Sequence, residues 1–165
     1  MFPPDLILRA TRVLERARAQ RLKIATAESC TGGLIAGCLT EIAGSSDVVE
    51  RGYVTYTNDA KHELLGVPVA LFEQVGAVSE EVAQAMAEGA LDRAPVDIAL
   101  ACTGIAGPGG ATAQKPVGLV HIALAQRGRP TRHLKRNYGD IGRTQVRLKT
   151  IEDALDLVLA KLNSN

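Results

Sequence analysis

Apolar residues recur along the chain with two alternating periods. Behind Pro3 and Pro4, whose fixed φ suits a helix start, Leu6, Leu8, Val13, Leu14 and Ala17 fall at near-helical spacing and predict a helix over about 4–20. A short apolar run at 23–27 hands over to a helical pattern at 33–42 that ends at Gly44, which reads as strand, turn and helix with 28–32 at the turn. Tyr53, Val54, Thr55 and Tyr56 give 52–57 a strand composition. Asn58 then offers an N-cap for a helix to about residue 65, stopped by Gly66 and Pro68. The stretch 69–76 matches neither period. Ser79 caps a further helix to about 91, with Glu80 and Glu81 in the first turn where the helix dipole favours acids. A buried-type strand at 96–102 runs into a glycine-rich segment at 103–110. Strands at 119–125 and 131–138 come next, joined by a turn at 127–130. The last helix, about 143–162, carries Ile151, Leu155, Val158, Leu159 and Leu162 on one face.

Strands and helices alternate through the first two-thirds, which predicts an α/β fold, a three-layer α/β/α sandwich. The tight turn near Gly128 makes the central sheet mixed. A chain of 165 residues with 46% hydrophobic content buries roughly two-thirds of its unfolded surface in one core, so 1–165 is expected to form a single domain. The loops at Glu28, Asn58 and Thr103 all come after strands. Ligands gather outside the carboxyl ends of strands in open α/β sheets, so these three loops are expected to share one cleft.

Composition narrows the partners. Lys and Arg total 19 against 18 Asp and Glu, which gives no field to hold a duplex or an anionic membrane. Two Phe, three Tyr and no Trp cannot build a stacking platform for single-stranded bases. Neither nucleic acid nor membrane is an expected partner. Cys30, Cys38 and Cys102 match neither a disulfide framework nor a zinc site, which predicts no metal and a reducing compartment. The N-terminal segment has the pattern of neither a signal peptide nor an anchor, and the expected location is the cytoplasm.

Chemistry concentrates in four places. In Glu28-Ser29-Cys30-Thr31-Gly32-Gly33 a strand hands over to a helix, and the glycines let backbone amides approach a ligand. Such a turn exposes a nucleophile at Ser29, although Ser29 or Thr31 serving only as a helix cap fits the same pattern. His62, His121 and His133 have no evident orienting acid, so a serine there needs another base. Lys61 is the candidate, because the first turn of a helix disfavours a cation and favours the neutral amine; a solvated surface lysine is the plainer alternative. Tyr56 can relay a proton or orient Lys61, or be an ordinary strand residue. The run 103–110 is not a dinucleotide fingerprint, since a strand comes after it, but Thr103 and Gly104 can present a hydroxyl and an amide to a ligand. Arg143 and Arg147 lie one turn apart at the start of the last helix, an arrangement that suits a phosphate and is also common on amphipathic helices.

Read together, AESCTGG at 27–33, GYVTYTNDAK at 52–61 with LLGV at 64–67, GAVSEEVA at 76–83, TGIAGPGG at 103–110 and KPVGLV at 115–120 resemble the C-terminal domain of the competence/damage-inducible protein CinA and its stand-alone relatives, the nicotinamide-nucleotide amidases. The resemblance covers nearly the whole chain. It implies hydrolysis of nicotinamide mononucleotide to nicotinic acid mononucleotide and ammonia in pyridine-nucleotide recycling, with neither metal nor organic cofactor. It also implies Ser29 as nucleophile, Lys61 as its base, Tyr56 beside them, and a homo-oligomer, at least a dimer. Substrate would be bound by Cys30, Thr31, Gly32 and Gly33, by Thr103 and Gly104, and by Arg143 at the phosphate. One departure is the block GDIGR at 139–143, where many relatives have a contiguous Gly-Asp-Arg. Two alternatives stay open: a non-catalytic nucleotide- or partner-binding module, and an amidase for another carboxamide.

Overall fold

The computed structural model describes residues 1–164. Five strands form one sheet: β1 (Ile24–Glu28), β2 (Val49–Val54), β3 (Ile98–Gly104), β4 (Leu119–Gln126) and β5 (Arg129–Asn137). Their order is β2-β1-β3-β4-β5, with β1 parallel to β2 and β3, and β4 antiparallel to both β3 and β5. The mixed sheet is thus parallel on one side and an antiparallel hairpin on the other. Helices α1 (Pro4–Ala19), α2 (Leu34–Thr40) and α6 (Arg143–Asn163) cover one face, and α3 (Asn58–Leu65), α4 (Val69–Gln74) and α5 (Glu80–Arg93) the other, with α5 packed on the sheet.

Side-chain size separates the two faces. Towards α1, α2 and α6 the strands present Ile24, Ile98, Leu100, Cys102, Val120, Ile122 and Leu124. Towards α5 they present Ala25, Ala27, Ala99, Ala101, Ala123 and Ala125. Because successive strand residues point to opposite faces, one strand pattern serves a thick and a thin layer at once. The small face lets α5, itself rich in alanine, approach closely with Val82, Met86 and Leu91 as its larger contacts. Gly89 makes the closest approach of all: a Cβ there would come within 1.9 Å of the Leu65 carbonyl oxygen at the end of α3. This contact seats α3, and with it Lys61.

Several boundaries differ from the sequence expectation. The undecided stretch 69–76 contains α4, behind Pro68. The second strand runs over Val49–Val54, not 52–57. As an edge strand it is half exposed, so Glu50 and Arg51 belong to it despite their polarity. The Thr55 amide still bonds the Glu28 carbonyl at 2.8 Å, and the chain then leaves the ladder as the carbonyls of Thr55, Tyr56 and Thr57 turn to the Lys61 side chain. Thr57, not Asn58, caps α3: its hydroxyl accepts from the Ala60 amide at 3.1 Å.

Candidate functional site

The three parallel strands end side by side, and the segments leaving them meet at one place. Ser29 comes directly after β1, its amide bonded to the Cys102 carbonyl of β3 at 3.1 Å. The segment after β2 leads into α3 and Lys61, and Thr103 and Gly104 end β3. A cavity of about 250 Å³ opens here, lined by Ser29, Cys30, Tyr56, Asn58, Lys61, Ala77, Val78, Thr103, Gly104 and Arg143 among others. The expected shared cleft at the strand ends is therefore present.

Ser29 is held by an arrangement that hinges on Glu28. This carboxylate is fully buried at the end of β1. Its Oε2 accepts from the Thr31 hydroxyl at 2.5 Å, the Gly33 amide at 3.1 Å and the Ile35 amide at 3.0 Å, and its Oε1 from the Ala36 amide at 2.8 Å. A helix start leaves its first amides without intrahelical partners, and a buried anion at that end satisfies them while facing the positive pole of the dipole. Gly33 makes the geometry possible by adopting φ of 95°, open to glycine at little cost. Glu28 thereby anchors both ends of the turn that projects Ser29. Within its sequence motif Glu28 has no evident role; the available signal was an acid closing an apolar strand just before a helix.

Lys61 meets Ser29 directly. Its Nζ lies 2.9 Å from Ser29 Oγ, and it also donates towards the carbonyls of Thr55 at 3.0 Å and Tyr56 at 3.3 Å. The side chain is 1% exposed, so the surface-lysine alternative is overturned. No carboxylate forms an ion pair with it among the described residues. Burial pushes the ammonium below its ordinary value of 10.5, partly opposed by Cys30 and Cys102. The chief cause of the shift is desolvation, which acts in the same direction as the position of Lys61 in the first turn of α3.

For Tyr56 the proton-relay alternative requires a correction, while its backbone carbonyl helps orient Lys61. Its hydroxyl does not bridge serine and lysine; it accepts from Arg143 Nη2 at 2.7 Å, and the ring is largely exposed. Only its backbone carbonyl touches Lys61. Arg143 itself reaches across from the start of α6 and donates to the Gly107 carbonyl at 2.9 Å, so the displaced arginine of GDIGR does stand at the cavity. Arg147 turns instead to the Thr31 carbonyl at 3.0 Å.

Thr31 is buried and bonded inward to Glu28, with Cys102 Sγ 3.1 Å from its hydroxyl, so its side chain braces the turn. Gly32 and Gly33 amides are likewise occupied, by the Ser29 carbonyl and Glu28. The amides of Cys30 and Thr31 donate to no other group among the described residues. Cys30 lines the cavity, while its buried thiol belongs to the core beside Cys102; their hydrogen bond lowers the Cys30 thiol, against burial, and Cys102 is pushed well up. Thr103 places its hydroxyl on the Ala77 carbonyl at 2.9 Å. None of the histidines lines the cavity. His121 and His133 bond each other at 2.8 Å, and His133 has an acid after all, Glu80 at 3.4 Å. Among the described residues no cluster of His, Cys, Asp or Glu could hold a metal, and no helix is long and apolar enough to cross a membrane.

The family model of the CinA C-terminal domain matches residues 8–162. The chain belongs to this family. The crystal structure of competence/damage inducible protein CihA from Agrobacterium tumefaciens superposes with a TM-score of 0.96 at 54% identity, covering 99% of this chain and 98% of that one. A CinA-like protein of Akkermansia muciniphila is 59% identical over 113 residues, 68% of this chain and 27% of its own length. Another, from Synechococcus sp. (strain RCC307), is 48% identical over 154 residues, 93% of this chain and 37% of its own length. The chain thus spans roughly a third of these two CinA-like relatives, and its fold is that of the CinA C-terminal domain.

Proposed function

We propose that this CinA domain is a serine amidohydrolase that converts nicotinamide mononucleotide to nicotinic acid mononucleotide and ammonia. One observation carries the reading: a buried lysine amine, unpaired with any acid among the described residues, lies 2.9 Å from the hydroxyl of a serine at the mouth of a cavity. A serine hydroxyl is a weak nucleophile until a base takes its proton, and a lysine becomes such a base once desolvation favours its neutral form.

In this scheme Lys61 Nζ accepts the proton of Ser29 Oγ as that oxygen bonds to the carboxamide carbon. The lysine returns the proton to the departing nitrogen, the C–N bond breaks, and ammonia leaves an acyl-serine. Water then attacks the same carbon, giving a proton to Lys61; the bond from that carbon to Ser29 Oγ breaks, Oγ takes the proton back from Lys61, and the acid is released. The developing oxyanion has the amides of Cys30 and Thr31 available, which are not used elsewhere among the described residues. Contact between Ser29 and Lys61 removes the need for a tyrosine relay. Tyr56 instead steadies Arg143, whose guanidinium at the cavity suits the 5′-phosphate. The scheme needs no cofactor, and the working form would be a homo-oligomer acting in the cytoplasm.

Ammonia release from nicotinamide mononucleotide by the purified protein in chelator tests this reading, with nicotinamide riboside and free nicotinamide beside it. Release is expected from the mononucleotide, at least about tenfold weaker in kcat/KM without the phosphate. A folded protein that binds the mononucleotide and releases no ammonia contradicts it and favours the binding module.

A further inference from the structure

Ala77 and Val78, which line the cavity with Ser29, belong to a short segment, Val75 to Val78, outside every helix and strand. All four of its consecutive carbonyls are taken by side chains. Lys115 Nζ bonds the Val75 carbonyl in a very short contact and the Val78 carbonyl at 2.7 Å. The Ser79 hydroxyl donates to the Gly76 carbonyl at 2.9 Å, and Thr103 to that of Ala77. Gly76 leaves room for the ammonium: with φ of +77°, a Cβ there would come within 3.0 Å of Lys115 Nζ. Lys115 is fixed in turn by its own loop, where its amide bonds Thr112 Oγ1 at 3.1 Å and its carbonyl accepts from the Thr112 amide at 2.9 Å.

We propose that Lys115 is a positioning residue which clasps the glycine-rich loop to residues 75–78 and so holds Ala77 and Val78 as a hydrogen-bond-donor wall of the substrate pocket. A trans peptide points its N–H opposite its carbonyl, so binding the carbonyls of 75–78 to side chains fixes the directions of the intervening amides. The amides of Ala77 and Val78 donate to nothing among the described residues, and both residues line the cavity. They are suited to an oxygen-rich ligand: a carbonyl, a sugar hydroxyl or a phosphate. Lys115 does not line the cavity, so its influence passes through the segment it holds.

The kinetic part of this inference rests on the amidase reading; the structural part does not. Amide hydrogen exchange on the full chain reads the wall directly. In Lys115→Met, exchange over residues 75–79 is expected to quicken at least about tenfold while β1 and the start of α2 keep their protection. With nicotinamide mononucleotide as substrate, KM should rise about tenfold and kcat change by less than about threefold. Lys115→Arg, which can still donate to both carbonyls, should restore most of the difference. If Lys115→Met fails to fold, Lys115→Gln supplies the same comparison. Exchange over 75–79 as slow as in the native chain overturns the clasp. Faster exchange with an unchanged KM overturns the link to the pocket. A native chain that releases no ammonia contradicts the amidase reading alone, and the exchange result still decides the clasp.

Discussion

In the proposed scheme Lys61 must be neutral to take the proton of Ser29, which lies 2.9 Å away, and this sets the pH behaviour. Burial lowers the folded-state value of Lys61 below 10.5, so the active fraction grows as pH rises through that lowered value. We expect kcat/KM for ammonia release to climb with pH along a limb whose midpoint lies below 10.5. Lys61→Met should remove this limb and reduce the rate by about 10²–10⁴-fold. Glu28 acts on stability as well as geometry. Glu28→Gln puts an amide donor against a backbone N–H and removes the anion from the start of α2; chemical denaturation should show a loss of about 2–4 kcal/mol. His121 provides a separate check on the other face. Desolvation, then His133, Lys135 and Lys115, push it down to about 4 from 6.5. The unfolded chain therefore binds a proton that the folded one refuses between those values. Stability should fall as pH drops from 6.5 towards 4, by up to about 1.4 kcal/mol per unit, and His121→Gln should flatten that slope. The residues that meet at the cleft were readable as motifs, because a serine at a strand-to-helix turn and a lysine near a helix start are local patterns. The hydroxyl partner of Tyr56 was not readable: it is Arg143, 87 residues away in sequence. Glu28 was illegible for a similar reason, since an acid reads as exposed until the helix it caps is folded around it.

Elements place these residues, and at Gly89 α5 lies against the end of α3 with no room for a side chain. Gly89→Ala would push a methyl group into the Leu65 carbonyl at the end of α3. Relief requires α3 and α5 to move apart, and any shift of α3 moves Lys61 from Ser29. We expect a loss of about 1–3 kcal/mol in thermal or chemical unfolding, with a fall in activity larger than the fraction unfolded explains. Periodicity located most helices and strands here. It failed at 69–76, where six helical residues are too few to establish a period, and at β2, where an edge strand carries polar residues on its open side. The alanine-only pattern on one sheet face was visible in the alternation of β1, β3 and β4. Its meaning, a close-packed α5, required the strand order.

For the whole molecule, the parallel half of the sheet builds the site and the antiparallel half supports it. β1 lies between β2 and β3, so the carboxyl ends of three parallel strands converge on Ser29. α6 returns from the far end of the chain to bring Arg143 across the same cleft. This convergence explains why ordered motifs spread from residue 27 to residue 110 contribute to a single cavity. Cys30 stands beside Ser29 as a rival nucleophile, with a thiol lowered by its hydrogen bond to Cys102. The most direct test is therefore the rate of ammonia release from nicotinamide mononucleotide by Ser29→Ala, measured beside the native chain and Cys30→Ala. The dyad of Ser29 and Lys61 predicts a loss of at least about 10³-fold in Ser29→Ala and less than about tenfold in Cys30→Ala. A folded Ser29→Ala protein that releases ammonia at the native rate would contradict it.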